Sequence, residues 1–565
     1  MDTSQGGNVG MRRGRRSAQI AAAVLALGMI AAACGDDDGE EGGGTGTTAP
    51  GTETTSGGGG GATTTSGSGG EGSDEECTAD KAGGELVMGV GSPFISIDPA
   101  LVLGTGQVGG DYMSAFYDTL MRYDARTQEF EPNVAESLTP NEDLTEWTLV
   151  LRPDVTFGNG DPITTEDVQF HIERLQTARV RAAGMAQEIR SMTIVDDRTM
   201  VFDVGEPWGG FPYVLATEPG WVTSKRIVEE RGDQFGTNPA GAGVGPYEFS
   251  RFAAGEEIVL TAKDDYWGGP VCIETLRFRY VPGNDAAYEA FSNGELDAVF
   301  LSNLVVAAEA DEDGRLDFGV PVGTLTYVLA DQGITGRGPT PFQDVRVREA
   351  MQLAIDYEVL NQRLYEGKSE TTSAIVAESS PIYHGMEGPP FDQARARQLV
   401  QETIAEGVWD GSFTFLQGPT PEDVERAVLL EGMWEAVGMN VTLEPVPNVG
   451  NRVILERNFE VATNGYAILD PAPWSTLNGL ESGNQRQRTG YANPDMDAAL
   501  DNLRAAATIE ETAEALGEIQ QVWNETFPVI NTQNGVWGVA TAEHVKGMRY
   551  GPDATPYFHK AFLEE

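Results

Sequence analysis

From residue 35 to residue 82 the chain is almost wholly Gly, Thr, Ser, Asp and Glu, and this fixes where folding can begin. Such a stretch has too little apolar surface to offset the entropy of ordering, so it reads as a flexible tether. A Gly-rich coil of about 48 residues spans ~40 Å end to end. Everything that can build a core lies after it, starting near Gly84. The remaining length exceeds one ordinary core and predicts two or three lobes.

The residues before the tether carry an export pattern. Arg12, Arg13, Arg15 and Arg16 precede an apolar run from Ile20 to Ile30, and Ala31-Ala32-Ala33-Cys34 follows at once. The run is too short to span a bilayer and suits a signal-peptide core. Small residues before a cysteine resemble the lipobox of bacterial lipoproteins, which implies that Cys34 becomes the lipidated first residue. Ala31 stands where a Leu is usual, and Met11 is an alternative start. The expectation is a chain held at the outer face of the cytoplasmic membrane through lipid alone. A tethered domain stays concentrated beside a partner in the same membrane.

The chain has 87 acidic against 37 basic residues and a formal net charge of −50. That field repels nucleic acid and anionic lipid, which excludes nucleic-acid binding. With Cys34 set aside, Cys77 and Cys272 are left as a candidate disulfide in an oxidising compartment, the alternative being two separate thiols. His171, His384, His544 and His559 form no ligand-spaced cluster, so neither metal nor cofactor is expected. No Gly-x-Ser-x-Gly or His-Glu-x-x-His stretch argues for a secreted peptidase.

Strands are predicted at Glu85–Val90, Trp147–Leu151, 199–204, 257–261 and 275–281. Met113, Phe116, Tyr117 and Leu120 share one helical face. Thr164 followed by Asp167 reads as a capping box opening a helix through Val168, His171, Ile172 and Leu175. Arg346–Leu360 reads as one amphipathic helix, and Thr420-Pro421 as the start of another running to Val437. Strands and helices mix without a short repeat, which predicts an α/β protein.

Several segments, weak singly but specific in their order, carry a resemblance. They are Ser96-Ile97-Asp98-Pro99-Ala100, Thr156 to Phe170, Val195 to Thr199, Asn238-Pro239 through Gly245-Pro246-Tyr247, and Asp265-Tyr266-Trp267-Gly268-Gly269. Gly294-Glu295-Leu296-Asp297, Asp344 to Asp356, and Tyr491 to Asp497 complete the set. With these the chain resembles the dipeptide/oligopeptide-binding family (family 5) of ABC-transporter solute-binding lipoproteins, over roughly residues 83–565. The resemblance implies a two-lobed periplasmic-binding-protein-like fold, with an extra subdomain on the N-terminal lobe and a cleft closed by a hinge. The implied organisation is a signal peptide at 1–33 and the lipidated Cys34 with its linker at 34–82. A first lobe follows at 83–331, with an inserted subdomain at about 120–195. A second lobe covers 332–536, and residues 537–565 return to the first. It further implies a monomer that hands a peptide or other small organic solute to an ABC permease and its ATPase. A ligand sensor of the same fold is the alternative. Most residues of these segments, Asp344, Arg346 and Arg348 among them, are expected to set helix starts, turns and surface pairs.

In peptide-binding members an aspartate just before an Asp-Pro or Glu-Pro pair holds the peptide α-ammonium. Here the stretch is Asn464-Gly465-Tyr466-Ala467-Ile468-Leu469-Asp470-Pro471, and the aspartate's place falls near Ala467 or Ile468, which carry no charge. Asp470 is therefore the candidate substitute. The candidate cleft contacts are Phe94, Asp98, Tyr327, Tyr466, Asp470 and Trp474, because aromatic faces and a few polar groups suit a half-hydrated cleft.

Overall fold

The computed structural model describes residues 77–564, apart from 103, 105, 107, 108, 179 and 465–467. Cys34, the signal segment, the tether up to residue 76 and Tyr466 lie outside the described residues. Residues 77–82, expected as part of the flexible tether, are instead held in place by a 3-10 turn at Ala79–Lys81 and the Cys77–Cys272 disulfide.

The frame is an eleven-stranded mixed sheet. Its strands are β1 Glu85–Val90, β2 Tyr247–Ala253, β3 Glu257–Ala262, β4 Thr275–Tyr280, β5 Ala298–Leu301 and β6 Leu316–Ala330, then β7 Ser412–Gln417, β8 Asn440–Pro445, β9 Val461–Asn464, β10 Ile468–Leu469 and β11 Ile530–Thr541. The order is β8-β7-β9-β6-β11-β5-β1-β4-β3-β2, with β10 pairing to β6. One half of the sheet thus comes from the N-terminal part of the chain and the other from residues after 412. The long antiparallel strands β6 and β11 join them. Tyr327–Ala330 of β6 pair with β9, while Gly538–Thr541 of β11 pair with β5. Between Val322 and Thr326 the β6–β11 register shifts, so the ladder is interrupted midway along the joining strands.

Each half has its own core. Leu86, Met88, Phe94, Ile97, Phe116, Tyr117, Phe278 and Tyr550 fill the N-terminal one. Val347, Met351, Phe413, Phe415 and Trp434 fill the C-terminal one. The chain's last stretch packs back on the first core through Tyr550, Ala554 and Phe558. Cys77 and Cys272 are joined as a disulfide with Cα atoms 5.7 Å apart, and Phe562 packs against the pair.

A smaller antiparallel sheet rides on the N-terminal half. Its strand order is Ala135–Pro140, Glu146–Leu151, Thr199–Asp203, Ser191–Ile194, so it draws on residues beyond 195. Its helix Thr165–Thr177 begins as a capping box, where the Asp167 carboxylate accepts from the Thr164 N–H at 3.1 Å. A third apolar cluster runs from this sheet (Leu149, Phe202, Phe211) through Tyr327 to Trp474, Leu516 and Trp523. The subdomain and the C-terminal half are therefore packed together.

Two readings of the sequence need correction. Arg346–Leu360 is not one helix but two, Val345–Leu353 and Tyr357–Leu364. Asp356 accepts from the Val359 N–H at 3.1 Å and starts the second, a local cap that outcompetes the continuous apolar pattern. Arg348 is not a surface partner. It is 6% exposed and donates to the carbonyls of Phe342, Gln343, Thr526 and Phe527, closing the C-terminal end of helix Ile509–Thr526. Asp344 and Arg346 do behave as expected: the Asp344 carboxylate accepts from the Arg346 N–H at 2.9 Å and pairs with its guanidinium at 2.8 Å.

Candidate functional site

The five candidate contacts among the described residues do not fall together. Phe94 is 2% exposed and stands edge-on to Tyr112 at 5.4 Å, within the N-terminal core. Asp98 serves its own loop. Its Oδ1 accepts from the Ala100 N–H at 3.0 Å and its Oδ2 from Arg174 Nη2 at 2.7 Å. The Arg174 guanidinium also lies over the rings of Phe170 and Phe235. Both carboxylate oxygens are thus used inside the N-terminal half.

Tyr327, Asp470 and Trp474 lie elsewhere, along the seam between the halves. Tyr327 is fully buried on β6, and its hydroxyl accepts from Arg488 Nη1 at 3.4 Å. The same Arg488 nitrogen donates to Asn464 Oδ1 at 3.1 Å. Asn464 faces Tyr327 in the β6–β9 register and leads directly into residues 465–467. Ile468, near the family's aspartate position, pairs with Gly323 of β6 and is 2% exposed, an apolar filler.

Asp470 follows β10, beside the joining strand. It is 7% exposed. A hairpin from the N-terminal half, Met121–Asp124 and Glu129–Pro132, meets it. Tyr123 of that hairpin is buried and lies against the carboxylate without reaching hydrogen-bond geometry. Gln128 Nε2 donates to Asp470 Oδ2 over a long 3.4 Å, and Oδ1 has no hydrogen-bond partner. Among the described residues no cation pairs with it. Burial, with nothing basic to oppose it, pushes the carboxyl up to about 6.

The hairpin turn that brings Gln128 to this point is well held. Asp124 Oδ1 accepts from the N–H groups of Arg126 and Thr127, and the Asp124 carbonyl accepts from Gln128 at 2.7 Å. Arg126 donates to Asp317 at 3.2 Å, which ties the turn to β6. Gln128 sits at φ 62°, left-handed backbone that a long side chain adopts only when its surroundings impose it.

Trp474 packs against Trp208 of the subdomain with ring centres 5.1 Å apart, and the Arg504 guanidinium lies 4.8 Å over its ring. Trp474 is thus a contact between the two halves.

The sequence pattern missed Tyr123, Gln128, Trp208, Arg488 and Arg504. No local signal marks them, since Gln128 and Asp470 are 342 residues apart and Arg504 meets Val204 across 300. No group of three or more His, Cys, Asp or Glu side chains among the described residues is arranged to hold a metal ion. His171 is buried with Nε2 3.1 Å from the Glu218 carbonyl, and burial holds it down to about 4, so it stays neutral at physiological pH. Among the described residues no helix is long and apolar enough to cross a membrane.

A buried, unpaired carboxylate at a seam between two half-sheets is suited to receiving a cationic group as the halves meet. Known proteins share this architecture. The chain is 22% identical over 495 residues to a probable ABC transporter periplasmic-binding protein, SapA, of Escherichia coli strain K12, covering 82% of this chain and 89% of that one. It is 21% identical over 499 residues to the dipeptide-binding protein DppE of Bacillus subtilis strain 168, covering 81% and 88%. Among solved structures, the periplasmic binding protein DppA of Helicobacter pylori, in complex with the peptide STSA, superposes with a TM-score of 0.69 at 22% identity, covering 86% of this chain and 99% of that one. These likenesses establish the two-lobed fold. The model of the bacterial extracellular solute-binding proteins, family 5, matches residues 129–488, and the chain belongs to that family.

Proposed function

We propose that this chain is the extracellular receptor of an ABC importer, and that it captures a peptide or related small solute through a cationic amine seated on Asp470. The observation that carries this reading is the Asp470 carboxylate, 7% exposed, with one oxygen unpartnered and its carboxyl pushed up to about 6. An isolated buried carboxylate is relieved either by a proton or by a cation. An α-ammonium supplies the charge and three donors together. Gln128 stands ready to share the carboxylate from the opposite half. Relatives named as peptide-binding or ABC-transporter proteins support the transport assignment. Lipid attachment at Cys34, monomeric capture and the absence of turnover belong to the same reading.

The test is calorimetry of the full chain with short peptides whose N-terminus is free or acetylated. Binding of the free amines alone, lost in Asp470→Asn, with the peptide recovered intact by mass spectrometry, supports the reading. Equal binding of the acetylated peptides rejects the ammonium role. Cleavage of the peptide rejects a receptor without chemistry. Mass spectrometry of the membrane-bound N-terminal peptide tests lipid on Cys34.

A further inference from the structure

Two tryptophans, one arginine and one glycine meet across the seam, apart from the Asp470 carboxylate itself. Trp208 follows the subdomain strand Thr199–Asp203 and is 3% exposed; Trp474 opens the short helix Trp474–Leu477 of the C-terminal half and is 8% exposed. Their rings meet edge-on at 61°. Arg504, at the end of helix Pro494–Ala505, lies over both, 5.4 Å from the Trp208 ring and 4.8 Å from that of Trp474. Its Nη2 donates to the Val204 carbonyl at 3.1 Å, and its own carbonyl accepts from the Gly209 N–H at 3.0 Å. Glu188 of the subdomain is 3.8 Å from the guanidinium. The backbones approach so closely that a Cβ on Gly209 would sit 2.2 Å from the Ala506 carbonyl oxygen.

We propose that Trp208, Gly209, Trp474 and Arg504 form a latch that holds the two halves together without touching the solute, and so sets how much of the protein is closed. The cavity bordered by Trp208, Trp474 and Arg504 is about 20 Å³, room for a water. Arg504 stacks on Trp474 within the C-terminal half, while its contacts with Trp208, Val204, Gly209 and Glu188, and the Trp208–Trp474 contact, run between subdomain and C-terminal half and are lost on opening. A desolvated guanidinium between two indoles is among the stronger pairings of this kind. Trp474 is four residues from Asp470, so closing the latch also fixes the loop that carries the carboxylate. A solute then meets a partly pre-closed protein, and its apparent affinity follows the closed fraction. The latch stands independently of which solute binds, because its state is read with none present.

The experiment is hydrogen exchange on the full chain, comparing wild type with Gly209→Ala and Arg504→Gln. Gly209→Ala is the sharper variant. The backbone there is not left-handed, so each half tolerates the methyl group, which collides only with the facing carbonyl on closure. The latch predicts at least about tenfold faster exchange in 204–210 and in 472–477 for both variants, with the cores around β1 and β7 unchanged. Wild-type exchange in both segments of Gly209→Ala overturns the proposal. A rise spread through both cores overturns it too, since that marks general destabilisation and not opening. Because no peptide is present, the outcome is separate from the Asp470 test.

Discussion

Asp98 and Asp470 are almost equally hidden, at 5% and 7% exposed, yet they are opposite cases of a buried carboxylate. Asp98 has an arginine at 2.7 Å and a backbone donor at 3.0 Å, all from its own half of the molecule. Asp470 has one long hydrogen bond, from the other half, and an oxygen with none. Desolvation is similar; compensation is not. A carboxylate completed within one half contributes to that half's fold. One left incomplete at the seam destabilises the folded chain and is relieved only by a proton or an arriving cation. Burial alone therefore does not separate these two acids, but the origin of their partners does.

The largest expected effect breaks the first side of the comparison. Asp98→Ala removes the partner of Arg174, whose side chain is 23% exposed, and should lower unfolding free energy by about 4 kcal/mol. Denaturant titration measures this, and peptide affinity of the remaining folded protein should be unchanged. The second side inverts the pattern. Asp470→Asn should weaken binding of free-amine peptides by about 3 kcal/mol, near a hundredfold, while thermal stability at pH 7 holds or rises. If both variants lose stability alike, the distinction between the two acids fails.

Acidity sharpens the contrast with a defined sign. The Asp470 carboxyl is raised from 3.8 to about 6, so the folded state holds its proton more tightly than the unfolded state does. Its stability penalty is complete above about pH 6, amounts to at most ~3 kcal/mol, and vanishes as pH falls through 4. Wild type should therefore unfold more easily than Asp470→Asn at pH 7 and match it at pH 4. The general relief of the acidic surface is common to both chains and cancels. Peptide binding should weaken as pH drops below about 6, because proton and ammonium compete for one carboxylate.

The fold was legible where its signals are local. Thr164 with Asp167, and Thr420 with Pro421, mark helix starts because capping is settled within a few residues. The same locality explains the broken helix: Asp356 is as good a cap as Thr164, but it was hidden inside an apolar pattern that suited one long helix. Arg348 read as surface because a charged residue is rarely enclosed, and only the folded chain shows four carbonyls converging on it. The candidate site was partly legible. The Asp-Pro pair drew attention to Asp470, now the proposed amine contact, while Asp98 and Phe94, singled out beside it, pack in the N-terminal half. Trp474 was singled out as an aromatic, while its partners Trp208 and Arg504 come from a strand end and a helix end that no local pattern joins.

The smallest effect tests whether Asp470 acts alone or through its neighbour. Gln128 holds left-handed backbone at φ 62° and offers one hydrogen bond of 3.4 Å. Replacing it by glycine relieves the backbone by about 1 kcal/mol and removes a contact of ~0.5 kcal/mol. Gln128→Gly should therefore leave melting within a degree or two of wild type, or raise it slightly. Peptide affinity should fall by only about threefold, since the carboxylate's charge is intact. Calorimetry beside Asp470→Asn decides the matter. A loss as large as that of Asp470→Asn would mean that the hairpin, reaching across the seam, makes the binding geometry. The lone charge would then be secondary, and the difference between Asp98 and Asp470 would lie in what crosses the seam to meet each acid rather than in the acid itself.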